Sequence, residues 1–153
     1  MTPKPTASQI LTQLSLLHTQ KTPNPDVFYS EVKSGPSWGQ AGRKLFILDA
    51  VAIARSWTKQ CIYGYEIKVS RSDFLRGKDT ALKQYTKYCH KFSFVCPPNV
   101  ISVDELPGDV GLIYYSVDHD TLFVKRRAMY RQIDMRSAEV VGMLLYVAMY
   151  RGA

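Results

Sequence analysis

The sequence has 153 residues, a formal net charge of +7 at pH 7 and an isoelectric point near 9.4. This length suits one domain with a hydrophobic core, expected over residues 7–153 after a loose, proline-containing tail of residues 1–6. Hydrophobic residues at 46% and charged residues at 22% argue against a disordered or fibrous chain. The positive charge favours a polyanionic partner, nucleic acid first and an acidic membrane surface second.

Cysteine usage and hydropathy predict the compartment. The three cysteines have no disulfide-like spacing, which is typical of a reduced, intracellular protein. No positively charged leader with an apolar centre opens the sequence. The longest apolar run, residues 140–150, is about half the length of a membrane-spanning helix. We therefore expect a cytoplasmic protein that does not enter a membrane.

The first predicted element is a helix that starts after Thr6, with Thr6 or Ser8 as its cap. Apolar residues recur in it at helical spacing, and it should end before the Pro-rich segment 22–25. Residues 27–32 fit either the end of a helix or a short strand. Segment 34–39 is predicted to be a turn or loop.

Two strands rich in β-branched and aromatic residues come next, over residues 45–51 and 61–69. Their connection is too short for a helical crossover, which predicts antiparallel neighbours. Asp49 lies within the first strand and Glu66 within the second, where acidic residues are unusual. The two carboxylates can therefore approach each other across the sheet.

The segment after Val69 predicts a turn and one short helical turn, followed by a longer helix from about residue 79. Asp73 is expected to cap the short helix, and the alternative is that it supports the site around Lys68. This helix should bury Leu82, Tyr85, Tyr88 and Cys89 and lead into a strand at 92–96. The order strand, helix, strand favours a parallel pair with a right-handed crossover.

The remaining predicted elements are a helical turn at 102–106, a hairpin of strands 111–116 and 121–125, and a helix over 136–151 capped by Ser137. The last helix is expected to turn Val140, Val141, Leu144, Leu145 and Ala148 to the core. Its neighbouring Met143, Tyr146 and Met149 are compatible with a homodimer contact, although burial in the core is the simpler interpretation. Together the elements predict a single α/β domain with a mixed central β-sheet flanked by α-helices.

The acidic strand residues are a candidate metal site. Magnesium prefers hard oxygen ligands, and Asp49, Glu66 and the backbone carbonyl of Ile67 can supply them. Lys68 is two residues from Glu66 and so lies on the same face of the strand, where it can stabilise charge at a scissile phosphate. The spacing alone favours the alternative, a cross-strand salt bridge of Lys68 with either carboxylate on a solvated sheet face.

The order of these residues resembles the PD-(D/E)xK nuclease superfamily, and the closest resemblance is to the MmcB-like DNA repair protein family. It extends from about Tyr29 to Tyr115. The residues that carry it are Glu31-Val32, Leu48-Asp49-Ala50-Val51, Tyr65-Glu66-Ile67-Lys68-Val69-Ser70-Arg71-Ser72-Asp73-Phe74, Gln84-Tyr85-Thr86-Lys87-Tyr88-Cys89, Leu106-Pro107 and Gly111-Leu112-Ile113. The long run that begins at Glu66 is the most specific of these. One departure is that Leu48 stands where the superfamily often has a proline.

The resemblance implies a restriction-endonuclease-like fold and a magnesium site, at which manganese can substitute. It implies that Asp49 and Glu66 bind the metal and that Lys68 is the catalytic lysine. Glu31 would be the glutamate of the first helix that binds or orients metal water. Gln84 and Tyr88 would position a substrate phosphate or support the site from their helix.

Basic residues form a further candidate surface for DNA. Lys78, Lys83, Lys87 and Lys91 recur along the helix that starts near residue 79, and Arg126 and Arg127 belong to a cluster after the last strand. A solvated helix face explains the lysines equally well. Exposed tryptophans and tyrosines would be able to stack on bases.

The leading hypothesis from the sequence is a metal-dependent deoxyribonuclease, an endonuclease or exonuclease acting in DNA repair, recombination or replication. The alternative is a nucleic-acid-binding protein on the same fold that does not cut DNA, or cuts it only with a partner repair or replication protein.

Overall fold

Six strands form one mixed sheet in the computed structural model, which describes residues 4–34 and 46–152. In chain order the strands are β1 (Val27–Lys33), β2 (Ile47–Ile53), β3 (Ile62–Ile67), β4 (Lys91–Cys96), β5 (Gly111–Ser116) and β6 (Thr121–Arg126). They lie side by side in the same order. β3, β4 and β5 are parallel, and the other neighbouring pairs are antiparallel.

The helices are α1 (Ala7–Thr19), α2 (Arg71–Tyr88) and α3 (Ala138–Tyr146), with a short 3-10 turn at Val103–Glu105 and a π-helical turn at Val147–Arg151. One apolar cluster joins α2 and α3 to one face of the sheet, and a second cluster joins α1 to the opposite face. The α/β class with a mixed sheet flanked by helices is therefore confirmed. No helix in the described residues is long and apolar enough to cross a membrane.

Local chemistry explains why α1 and α2 begin where they do. Thr6 caps α1 in a reciprocal arrangement with Gln9, in which each backbone N–H donates to the other side chain. Ser70 caps α2, since its hydroxyl accepts a hydrogen bond from the Asp73 backbone N–H at 3.2 Å. The prediction that Asp73 is the cap is therefore wrong, and its carboxylate forms an ion pair with Arg76 instead.

The structure resolves one open alternative and corrects two further expectations about elements. Residues 27–32 belong to a strand, and the short and long helices predicted between Val69 and Tyr88 are one continuous helix, α2. The C-terminal helix starts at Ala138 and changes to a π-helical turn after Tyr146. The predicted turn at 34–39 lies, apart from Ser34, outside the described residues.

The buried side of the C-terminal helix also differs from the expectation. Val140, Met143 and Val147 are buried, whereas the predicted core residues Val141, Leu145 and Ala148 are exposed. The helix is apolar on every side, so the sequence pattern defines no single buried stripe. Met143 belongs to the core, in agreement with the simpler interpretation, whereas Met149 is exposed.

Candidate active site

Asp49 and Glu66 come together because β2 and β3 form a hairpin in a fixed register. Ala50 pairs with Tyr65, so Asp49 is opposite Glu66 one position further along. In an antiparallel pair, side chains at opposite positions project from the same face of the sheet. A carboxylate oxygen of Asp49, Oδ2, also accepts a hydrogen bond from the Ile67 backbone N–H at 2.8 Å. The predicted approach of the two carboxylates is therefore present.

Tyr85 of α2 holds the two strands at this position. Its hydroxyl accepts a hydrogen bond from the Asp49 backbone N–H at 2.9 Å and donates one to the Tyr65 carbonyl at 2.6 Å. The hydroxyl thus joins β2 to β3 at the point where the carboxylates meet. Burial and the nearby carboxylates Glu66 and Asp49 raise the pKa of Tyr85 well above its usual value, which keeps the phenol neutral.

Two glycines allow α2 to lie this close to the site. A Cβ on Gly64 would meet the Cys89 side chain and would lie 2.6 Å from the Tyr85 ring. A Cβ on Gly77 would lie 2.8 Å from the Lys68 ammonium nitrogen, Nζ. Glycine therefore makes space for the tyrosine at one position and for the catalytic lysine candidate at the other.

Lys68 and Glu66 are in direct contact. Lys68 Nζ lies 3.3 Å from Glu66 Oε1, and the two side chains are only 13% and 12% exposed. The other carboxylate oxygen, Glu66 Oε2, is buried and has no hydrogen-bond partner among the described residues. A buried carboxylate oxygen without a partner is costly, and a bound cation is one way to compensate it.

The electrostatics favour a shared proton when no cation is bound. Burial raises the pKa of Asp49, while the hydrogen bond from the Ile67 amide acts in the opposite direction. Burial and then the charge of Asp49 raise the pKa of Glu66 to about 7, with Lys68 acting in the opposite direction. Near neutral pH the pair therefore carries less than its full negative charge, and a cation would bind better as the pH rises.

These residues fit magnesium as a two-carboxylate site. Among the described residues, no group of three or more His, Cys, Asp or Glu side chains is arranged to hold a metal ion. Magnesium usually takes one or two carboxylates and fills its other positions with water and substrate phosphate. Asp49 and the unpartnered oxygen of Glu66 meet that requirement. The Ile67 carbonyl is the third predicted ligand. The Ile67 amide donates to Asp49, and the residue also pairs with Val95 of β4.

Glu31 lies near this site but not in the setting that the resemblance implies. It is an exposed residue of β1 and not of the first helix, so that part of the expectation is wrong. Its charge contributes to raising the pKa of Asp49. Its backbone has a positive φ of 51°, which is unusual for a residue with a side chain. Arg151 fixes this backbone by donating to the carbonyls of Ser30 and Glu31.

The two predicted substrate residues of α2 differ in accessibility. Gln84 is partly buried. Tyr88 is 1% exposed and packs in the core, which is incompatible with direct contact to a substrate. The tyrosine whose hydroxyl reaches the site is Tyr85. It lies about one helical turn before Tyr88, the tyrosine that the resemblance assigns to the site together with Gln84.

The predicted DNA-binding cations are also divided. Lys83, Lys87 and Arg127 are exposed, whereas Lys91 is the first residue of β4 and does not belong to the helix. Arg126 donates to the backbone carbonyls of Pro107 and Val110 at 2.6–3.0 Å. The guanidinium of Arg126 thus holds the loop before β5, so a role in DNA binding is not supported for it.

The sequence reasoning missed Tyr85, Gly64 and Gly77 as parts of the site. A glycine inside a strand and a glycine inside a helix are each signals of close approach by another group. Neither signal says which side chain approaches, and that information came from the packing of α2 on the sheet.

Comparisons with known proteins give a likeness of fold only. No protein-family model and no curated protein sequence matches this chain. Among solved structures, it is similar to the SPO1766 protein of unknown function from Silicibacter pomeroyi, with a TM-score of 0.62 and 15% sequence identity. The similarity covers 97% of this chain and 88% of that one. At this identity the likeness extends to the fold and not to an activity.

Proposed function

We propose that this protein is a metal-dependent deoxyribonuclease whose catalytic centre consists of Asp49, Glu66 and Lys68. The observation that carries the proposal is the buried, unpartnered Glu66 Oε2 beside a second carboxylate and a partly buried lysine. The resemblance of the Glu66–Phe74 run to MmcB-like DNA repair proteins supports the same interpretation. DNA as the partner is part of the proposal and is supported by the net charge of +7. A cytoplasmic location is also part of it and is supported by the three free cysteines.

Each side chain has a definite task in phosphodiester hydrolysis. Asp49 and Glu66 would hold a magnesium or manganese ion, which supplies charge neutralisation at the phosphate and a more acidic bound water. Lys68 places a cation next to Glu66, where it can stabilise the charge that develops on the phosphate oxygens as water attacks phosphorus and the bridging P–O bond breaks. Tyr85 holds the Asp49 and Tyr65 backbones in position and takes no part in proton transfer.

A second candidate function is DNA binding without cleavage. One observation favours it: Lys68 is already ion-paired with Glu66, as in a structural salt bridge within a sheet. The exposed lysines Lys83 and Lys87 would serve either function.

Cleavage assays with isosteric variants separate the two candidates. The purified chain is incubated with single-stranded, duplex, nicked and branched DNA in magnesium or manganese. Asp49→Asn, Glu66→Gln and Lys68→Met should each lower the cleavage rate at least about a hundredfold. Asp79→Asn on the exposed side of α2 and Lys4→Met near the N-terminus are the matched controls and should retain activity.

The outcomes are distinct. Cleavage that all three site variants retain would overturn the assignment of the site. Binding of DNA by the wild type without cleavage of any substrate, in either metal, would support the second candidate. Circular dichroism and thermal unfolding of each variant exclude loss of the fold as the cause of lost activity.

A further inference from the structure

A separate pocket of about 600 Å³ lies on the face of the sheet opposite the candidate active site. Tyr63 of β3 lines it, and Glu66 is three positions further along, so the two side chains project from opposite faces. The pocket lies between the loop after α1, the loop between β2 and β3, and the start of β4. Its volume is in the range that holds a small organic ligand.

The charge of this pocket suits an anion. Its basic lining residues are Lys21, Arg55, Lys59 and Lys91, and its acidic one is Asp26. Within the described part of the chain, neither Arg55 nor Lys59 has an ion-pair partner, and both are exposed. The pocket therefore has a surplus of positive charge that is available to a ligand.

The single carboxylate already has partners within the protein. Asp26 is buried, with one oxygen 2.7 Å from His18 Nδ1 and the other 3.4 Å from Lys21 Nζ. The opposite ring nitrogen of His18 is 2.6 Å from the Tyr65 hydroxyl. This hydrogen-bonded chain fixes the position of Asp26, and the pairing of its carboxylate lessens the repulsion that an anion in the pocket would meet.

Tyr130 lines the pocket, and Trp57, which does not line it, lies on the same loop as the lining residues Arg55 and Lys59. One face of Tyr130 stacks on His90 at a centroid distance of 5.0 Å, its hydroxyl donates to the Gln60 carbonyl, and the residue is 47% exposed. On the loop between Arg55 and Lys59, Trp57 is 88% exposed. An indole this exposed has no role in the core, and aromatic faces next to cations are the arrangement that binds unpaired nucleotides.

We propose that this pocket binds a nucleotide, with the phosphate at Arg55 and Lys59 and the base stacked on Trp57 or Tyr130. The natural source of that nucleotide is an unpaired stretch of a DNA strand, and this choice over a free nucleotide rests on the proposed function. The pocket then acts as a second DNA contact, which selects substrates that have a single-stranded segment.

Tryptophan fluorescence tests the proposal without any need for cleavage. In a Trp38→Phe background, Trp57 is the single remaining tryptophan of the sequence. Titration with single-stranded oligothymidylate of about 12 nucleotides, in EDTA and low salt, should quench its emission. Arg55→Glu and Lys59→Glu should each weaken binding at least about tenfold, whereas the exposed Arg136→Glu should weaken it less than about threefold.

A second titration with deoxyadenosine monophosphate identifies the source of the nucleotide. Binding of the oligonucleotide, with or without competition by the monophosphate, supports the proposal. Binding of the monophosphate alone would overturn a DNA strand as the source and indicate a pocket for free nucleotides. The proposal is overturned if neither probe binds, or if Lys59→Glu and Arg136→Glu have equal effects. The titrations are made in EDTA, which abolishes metal-dependent cleavage, so pocket binding is measured independently of nuclease activity. Pocket binding by a protein that never cuts DNA would refute only the proposed nuclease function. Cleavage without pocket binding would refute only this inference.

Discussion

Replacing Glu66 with glutamine should stabilise the metal-free protein at alkaline pH. Burial and the charge of Asp49 raise the pKa of Glu66 from its usual 4.5 to about 7 in the folded state. At 1.36 kcal/mol per pH unit this corresponds to about 3 kcal/mol of lost stability once Glu66 is ionised. Because the raised pKa favours the protonated form, this stability is present below the unfolded pKa and is lost as the pH rises through about 7.

Glutamine has nearly the same shape and cannot ionise, so the variant escapes this cost. We expect Glu66→Gln to be more stable than the wild type by about 1–3 kcal/mol at pH 8, and by less than about 1 kcal/mol at pH 5. The lower end of the range allows for the proton that Glu66 shares with Asp49. The assay is urea unfolding in EDTA at both pH values, with Asp79→Asn as an exposed control that should change stability by less than about 0.5 kcal/mol.

Two results would refute this reasoning. One is a Glu66→Gln variant that is no more stable than the wild type at pH 8. The other is a gain of equal size at pH 5, which would mean that better packing and not ionisation is responsible. Magnesium gives an internal check, because it should stabilise the wild type at pH 8 and should have little effect on the variant.

Two further predictions concern positions around the site and the surface. Gly77→Ala should place a methyl group 2.8 Å from Lys68 Nζ and lower DNA cleavage at least about tenfold. The stability to unfolding should be unchanged or improved, since alanine favours a helix by about 1 kcal/mol. Gly108→Ala, whose added methyl meets open space, is the control, and equal loss of activity in both variants would contradict the account. Hydrogen bonds from Arg71 and from the Ser102 backbone lower the pKa of Glu105 to about 2. The stabilising contribution of the Glu105 carboxylate is therefore present above pH 4.5 and is lost as the pH falls towards 2. NMR titration of Arg71→Ala should find the pKa of Glu105 moved towards 4.5, and an unchanged pKa would show that Arg71 is not the main cause of the shift.

The strands of the site could be predicted because their pattern is local. The β-branched and aromatic runs around Asp49 and Glu66, with a short connection between them, predict an antiparallel hairpin, and the structure gives its register. The facing positions of the two carboxylates were therefore accessible from the sequence. The ion pair between Lys68 and Glu66 was accessible too, because both lie on one face of a strand.

The helical part of the site could not be predicted in the same way. Gly77 lowers the local helix propensity, so the sequence suggested a break in α2 where the structure has none. The rotation of α2 about its axis determines that Tyr85, and not Tyr88, reaches Asp49. That rotation depends on how closely Tyr85 packs against Gly64 of β3, a contact between residues that are distant in sequence. Likewise, the position of Glu31 depended on whether residues 27–32 form a helix or a strand. A segment of six residues is too short for its hydrophobic pattern to distinguish the two.

The most direct test of the central claim is single-turnover cleavage of DNA in manganese at pH 8 by the wild type and by Glu66→Gln. The account predicts measurable cleavage by the wild type and a rate at least about a hundredfold lower for the variant, even though the variant is the more stable protein without metal. Equal cleavage by the two proteins would contradict the assignment of Glu66 to the catalytic centre.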